Sequence, residues 1–289
     1  MMRSLLQTSD PAALIRCIIP AAFCWGLLLL GGCFEPKDGC LDIEATNFDA
    51  SADKNCCCEY PQLVIETAQR YDTLPYLPDS LYVASDGQIF RIKRIVFYLS
   101  EFEISQSGGL FSVGDTVRLS LYAPAGNDTL QQTFIDDFLL VLRTPVNNEV
   151  GEFRQTGDFE QVRFRLGLPP DAQRAIPALA PSGHPLGIQG DSLWLGSNTG
   201  YAFMKAIVVR DSMAATIPDT LMFTGSDIGD FFIQQTGNFI HASGGYDFRL
   251  RLTIDYKKMF EGVNWSSGDK MTWKSQIVAN LPNVFTVSQ

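Results

Sequence analysis

Phe248-Arg249-Leu250-Arg251-Leu252-Thr253-Ile254-Asp255 sets an apolar side chain at every second position and a polar one between. Successive side chains of a strand point to opposite faces, so this period puts Phe248, Leu250, Leu252 and Ile254 on one buried face. Two other stretches repeat it. Val117, Leu119 and Leu121 alternate with Arg118 and Ser120; Val162, Phe164 and Leu166 alternate with Arg163 and Arg165. Each reads as a half-buried antiparallel strand. Residues 95–99 and 202–209 are more continuously apolar, as expected of central strands covered on both faces. Ser107-Gly108-Gly109, Gly126-Asn127-Asp128, Pro169-Pro170 and Ser243-Gly244-Gly245 punctuate the strands as turns. Helical periodicity is scarce, and only residues 131–138 and 171–180 read as short helices. Strands joined by loops, without interleaved helices, predict an all-β chain built as an antiparallel β-sandwich.

Outward from that domain, the N-terminus carries a different message. Arg3 and Arg16 precede an apolar run from Cys17 through Leu30, interrupted by Pro20 and Gly26, and Leu30-Gly31-Gly32-Cys33 follows. A positive start, a short apolar core and small residues before a cut site describe an export signal over residues 1–32. The run is shorter than the roughly 20 residues of a transmembrane span. The tetrapeptide resembles the lipobox of bacterial lipoproteins, which implies cleavage before Cys33 and lipidation of its thiol. The alternative is an anchor that is never cut. Either way the rest of the chain sits outside the cytoplasm on a membrane tether. Phe34 stands where some bacteria place an aspartate that retains lipoproteins in the inner membrane, so the expected location is the outer membrane or cell surface.

Composition limits the range of partners. Hydrophobic residues make up 46% and charged residues 19%, enough to bury a core. The net charge is −10, and removal of Arg3, Arg16 and Asp10 with the leader makes it more negative. Such a surface repels nucleic acid and anionic headgroups.

Residues 33–60 form a small segment rich in cysteine and aspartate. Cys40, Cys56, Cys57 and Cys58 all fall here, and an oxidising compartment favours their pairing. Adjacent cysteines bridge only with strain. Cys40 is therefore expected to pair with one of the triplet, leaving two thiols to form a strained vicinal bridge, stay free or hold a soft metal. Asn47, Asp49, Ser51, Asp53 and Asn55 place oxygens at every second position, a pattern that can wrap calcium. It lacks the central glycine and closing glutamate of an EF-hand loop. A disulfide-stapled spacer without metal is the competing reading. The segment resembles a Cys-Asp-Ala-Asn-Tyr-Asp-Ala-Cys-Tyr repeat of secreted Bacteroidetes proteins, matched by Cys40, Asp42, Ala45, Asn47, Phe48, Asp49, Ala52, Cys58 and Tyr60. That resemblance implies a Cys40–Cys58 disulfide; from the alternating oxygens, Asn47, Asp49 and Asp53 are the candidate calcium ligands within residues 40–58.

Chemistry motifs are sparse. His184 and His241 are the two histidines, and no zinc-protease helix, nucleophile elbow or phosphate loop is present. A binding role is expected rather than an enzyme. The strongest signal is a set of spaced blocks: residues 94–104, 159–169, Trp194-Leu195-Gly196-Ser197-Asn198-Thr199-Gly200-Tyr201-Ala202-Phe203-Met204-Lys205, and Phe239-Ile240-His241-Ala242-Ser243-Gly244-Gly245. Their order and spacing resemble the MbnP-like family of exported proteins over residues 61–289. The family includes copper-binding members found beside di-haem cytochrome c peroxidases of the MauG type. In some, histidines bind copper beside a tryptophan oxidised to kynurenine. The resemblance therefore implies copper as cofactor and such a peroxidase as partner. His241 falls where the family has a histidine before a glycine pair, and Trp194 is the candidate oxidised residue. Departures are plain: the family tryptophans fall nearest Leu195 and Ser197, and an early histidine expected near residues 61–100 is missing. His184 reads as a plain loop residue. The expectation is a membrane-anchored extracytoplasmic binding protein that handles copper; the alternative is a metal-free structural or protein-interaction module.

Overall fold

The computed structural model describes residues 35–84, 86–123, 128–189, 193–211, 213 and 216–289. Cys33 and the leader lie outside the described residues.

In chain order, β1 (Asp38–Gly39) and β2 (Lys54–Asn55) form a small parallel pair in the cysteine-rich segment. The strands β3 (Gln62–Tyr71), β4 (Leu74–Pro75), β5 (Leu81–Val83) and β6 (Ile89–Gln106) follow. Next come β7 (Gly109–Phe111), β8 (Thr116–Tyr122), β9 (Thr129–Ile135), β10 (Leu139–Val141), β11 (Asn147–Glu152) and β12 (Gly157–Leu166). The C-terminal part holds β13 (Met204–Val209), β14 (Asp219–Phe223), β15 (Phe232–His241), β16 (Phe248–Asp255) and β17 (Phe285–Ser288). Three short α-helices accompany them: α1 (Gly225–Ile228), α2 (Tyr256–Met259) and α3 (Lys270–Asn280).

The larger sheet runs β14-β13-β6-β12-β15, with β5, β7 and β10 also paired to β6; the second runs β11-β3-β16-β17, with β4 on β3. Aromatic side chains join the two faces. Phe159 of β12 meets Phe248 of β16 at 5.4 Å between ring centroids, and Phe97 of β6 meets Phe285 of β17 at 5.9 Å. Burying each such ring contributes about 1.5–3 kcal/mol, and together they hold the sandwich shut.

The alternation in β12 is broken at one point. Val162, Phe164 and Leu166 point inward, and so does Phe159, one position out of phase. The register against β15 shifts at this point, between Phe159 and Gln161, where β15 carries the extra residue: Gly237 and Asn238 stand opposite Glu160. The continuous run in β6 is explained by cover on both faces. Phe97 faces the second sheet, while the Tyr98 hydroxyl donates to the Pro185 carbonyl and its ring meets Tyr201.

The structure corrects the sequence reading in two places. Residues 131–138 are not helical: Thr129–Ile135 is a strand, paired residue for residue with β8. Its β-branched Thr129, Thr133 and Ile135 suit a pleated surface, and cross-strand pairing overrides a weak helical pattern. In 171–180, two 3-10 turns form at Ala172–Arg174 and Pro177–Leu179. The second correction concerns β16, which pairs antiparallel only with β17; its other neighbour, β3, runs parallel to it.

Candidate functional site

The cysteine-rich segment is closed by a Cys40–Cys58 disulfide, with Cα atoms 4.9 Å apart. Its oxygens are already engaged. Asn47 donates through Nδ2 to the Cys57 carbonyl at 2.6 Å and accepts the Glu59 N–H at 2.9 Å. Asp53 Oδ2 accepts the Lys37 N–H at 2.9 Å. The Lys37 ammonium sits 2.6 Å from Asp49 Oδ2 and donates to Ser51 Oγ at 2.6 Å. Hydrogen bonding from Lys37, then Ser51, holds the Asp49 carboxyl well below the usual carboxylate range. The segment thus supplies its own cation to two of the oxygens that calcium would need.

This segment is not a free spacer. Its Ala45 carbonyl lies so near Gly245 that an added Cβ there would stand 2.5 Å from the oxygen, and Gly245 has φ +79°. Two independent reasons therefore require glycine. The Arg154 guanidinium stacks over the Tyr60 ring at 3.2 Å, and the Gln62 N–H donates to Asp247 Oδ1 at 3.1 Å. The loop between β15 and β16 is capped by residues 45–46 from outside. The second glycine of the pair that follows His241 serves this chain-on-chain contact.

His241 ends β15 and is 2% exposed. Its ring stacks on Phe248 at 5.2 Å and lies 5.8 Å from Phe153. Nδ1 faces the Gln155 carbonyl oxygen at 2.7 Å and Nε2 faces the Tyr246 carbonyl oxygen at 2.6 Å. Carbonyl oxygens only accept, so each contact is a hydrogen bond where the facing ring nitrogen carries hydrogen, which the tautomer decides. The imidazole is a clamp between the β11–β12 connection and the β15–β16 loop.

Trp194 lies in a different neighbourhood. It stacks on Tyr122 at 6.0 Å and meets Tyr201 edge-on at 4.8 Å. The Tyr201 hydroxyl donates to the Leu186 carbonyl at 2.6 Å. The rings around Trp194 and those around His241 share no member, so the structure does not bring the two candidate residues together. His184 lies in a loop, as read from the sequence, but it is buried and hydrogen-bonded rather than plain. Its Nδ1 accepts the Leu186 N–H at 3.1 Å and its Nε2 lies 3.1 Å from Asp136 Oδ1, which fixes the tautomer with the proton on Nε2. Among the described residues, no three His, Cys, Asp or Glu side chains gather as a metal site.

Sequence reasoning missed one feature. A cleft of about 310 Å³ opens between β6, β7 and the end of β9, lined by Glu101, Glu103, Leu110, Phe111, Phe134 and Asp137 among others. Its floor is a bulge. Arg163 of β12 pairs with Glu103 and Arg165 with Ser100, so β6 carries one extra residue there. Glu101 adopts φ +52°, unusual for a side chain other than glycine. Arg165 pairs with Glu101 and, at 2.6 Å, with Asp230; Arg163 pairs with Glu103. Asp137 Oδ2 accepts the Phe102 N–H at 2.7 Å, and burial pushes its carboxyl up to about 6. The available signal was the matched spacing of Glu101 and Glu103 with Arg163 and Arg165.

These features define an all-β, two-sheet sandwich carrying a disulfide-closed cap on one loop. The MbnP family profile matches residues 60–277, and the chain belongs to the MbnP family. Among solved structures, MbnP from Methylosinus trichosporium is similar over 70% of this chain and 78% of its own, at 14% identity and a TM-score of 0.38. No curated protein matches the chain.

Proposed function

We propose that this chain is a lipid-anchored, extracytoplasmic binding module of the MbnP family that carries no copper at His241 and acts through contact with another protein. The observation that carries this reading is the carbonyl clamp on His241. A copper ligand must direct a nitrogen lone pair at the metal, and each ring nitrogen of His241 is instead closed off by a carbonyl oxygen, at 2.7 and 2.6 Å. The donor set is also thin: Trp194 stands with Tyr122 and Tyr201, apart from His241, and the early histidine is absent from residues 61–100. The residues present do not fit the group. The anchor rests on Leu30-Gly31-Gly32-Cys33.

Copper loading followed by metal analysis and electron paramagnetic resonance tests the reading. Copper well below one equivalent per chain, unchanged in His241→Ala, is the expected result. One equivalent per chain with a spectrum altered in that variant would establish the copper-handling alternative. Cys33→Ala should release the protein from membranes after salt and carbonate washes. Retention there would remove the lipid anchor from the reading.

A further inference from the structure

We infer that Cys56 and Cys57 form a redox-active vicinal dithiol that closes to a disulfide by exchange with an incoming disulfide-bearing molecule. The dithiol is independent of the proposed binding role and rests on local geometry alone. The two Sγ atoms lie 2.7 Å apart, closer than non-bonded sulfurs ordinarily come. Neither belongs to the Cys40–Cys58 bridge. The backbone on both sides is held. The Cys56 N–H donates to the Gly39 carbonyl at 2.9 Å, and the Cys57 carbonyl accepts Asn47 Nδ2 at 2.6 Å. Next along the chain, Cys58 is tied down by its disulfide. Cys57 itself has φ +58°, a conformation that side chains other than glycine adopt at a cost and that the flanking bonds maintain. The segment therefore holds two thiols side by side at the surface.

Exposure orders the two roles. Cys57 is exposed and Cys56 half-buried. The hydrogen bond with Cys57, then burial, raises the Cys56 thiol above the usual range, which keeps it protonated until its neighbour has reacted. The exposed Cys57 thiolate attacks one sulfur of the incoming disulfide, forming a mixed disulfide and releasing one thiolate. Cys56 then loses its proton and attacks the Cys57 sulfur. The Cys56–Cys57 bond forms, the mixed disulfide breaks, and the second thiolate leaves. The dithiol loses two electrons and two protons, and the incoming disulfide gains them. A bridge between adjacent residues is strained, and strained, exposed disulfides are the exchangeable ones. The closed form is therefore able to run the exchange in reverse on a partner dithiol.

The test uses the full chain in detergent, equilibrated over a series of reduced-to-oxidised glutathione ratios, acid-quenched, alkylated and peptide-mapped by mass spectrometry. The expected result is a single two-electron transition: the peptide bearing Cys56 and Cys57 goes from doubly alkylated to unalkylated, two hydrogens lighter than the free dithiol peptide. Cys40–Cys58 stays intact throughout. In Cys57→Ser the transition disappears and Cys56 ends as a glutathione adduct or an alkylated thiol. Three outcomes in the wild-type chain would overturn the inference: both cysteines alkylated at the most oxidising ratio, a stable glutathione adduct at Cys57, or rearrangement onto Cys40 or Cys58.

Discussion

His241→Phe separates the clamp from the ring that makes it. Phenylalanine keeps an aromatic ring against Phe248 and Phe153 but donates nothing to the carbonyls of Gln155 and Tyr246, now met at 2.7 and 2.6 Å. A buried acceptor left unpaired costs about 1–3 kcal/mol. Gln155 and Tyr246 are themselves exposed residues, so water reaches part of each carbonyl and the lower half of that range applies. One such donation lost amounts to about 1–2 kcal/mol. At about 2–4 °C per kcal/mol for a domain of this size, the melting temperature should fall by about 2–8 °C. His241→Ala adds a cavity and should fall further, by about 3–5 kcal/mol in all. Circular-dichroism melts in the presence of a chelator give the numbers directly. A His241→Phe melt within about 1 °C of wild type would refute the clamp. So would a wild-type protein that loses its own stability when the chelator is added, since the histidine would then be holding metal.

Asp137→Asn should flatten the pH dependence of stability between 3.8 and about 6. The folded carboxyl titrates above the unfolded one, so its stabilising contribution is complete below pH 3.8 and lost as pH rises through about 6. Urea midpoints should show wild type losing about 3 kcal/mol relative to the variant over that window, and parallel curves would contradict this. Gly245→Ala should push the Ala45 carbonyl away and speed amide exchange in residues 38–60 while the sandwich keeps its protection. Equal exchange in both proteins would mean that the cap does not depend on this contact. Cys40→Ser opens a loop with a sequence separation of 18 and should cost the segment about 3 kcal/mol. Protease cleavage within residues 40–58 at the wild-type rate would show that the bridge adds nothing.

What could be read from the sequence divides along a physical line. Alternation in residues 248–255 revealed a strand and its buried face, because side-chain period is local. It could not reveal that β3 runs parallel to it, because the same alternation serves either direction. The Cys40–Cys58 bridge was reachable through a repeat pattern. The docking of Ala45 on Gly245 was not, since the two residues are far apart in sequence and their approach is made by the fold. At the candidate site, His241 was found by position and its surroundings were missed. The atoms that occupy its nitrogens are backbone carbonyls, which every residue possesses and no sequence pattern marks. Glu101 was missed for a related reason: its importance comes from an extra residue in a ladder, visible only once Arg163 and Arg165 are set in register.

The length of β6 carries a constraint of another kind. Five strands, β5, β7, β10, β12 and β13, take their alignment from this single stretch of 18 residues. Exchanging the fully buried Val96 for isoleucine would crowd only the side chains packed around it. Deleting one residue near it would turn every side chain beyond that point to the opposite face and misalign the partners on that side together. A point change along β6 therefore acts on its own neighbours, while a change of length acts on every partner at once. The bulge at Glu101 marks the one place where its ladder with β12 has absorbed an additional residue. An insertion meant to carry a label or a new loop belongs in the turn at Ser107-Gly108, beyond the reach of that shared ruler.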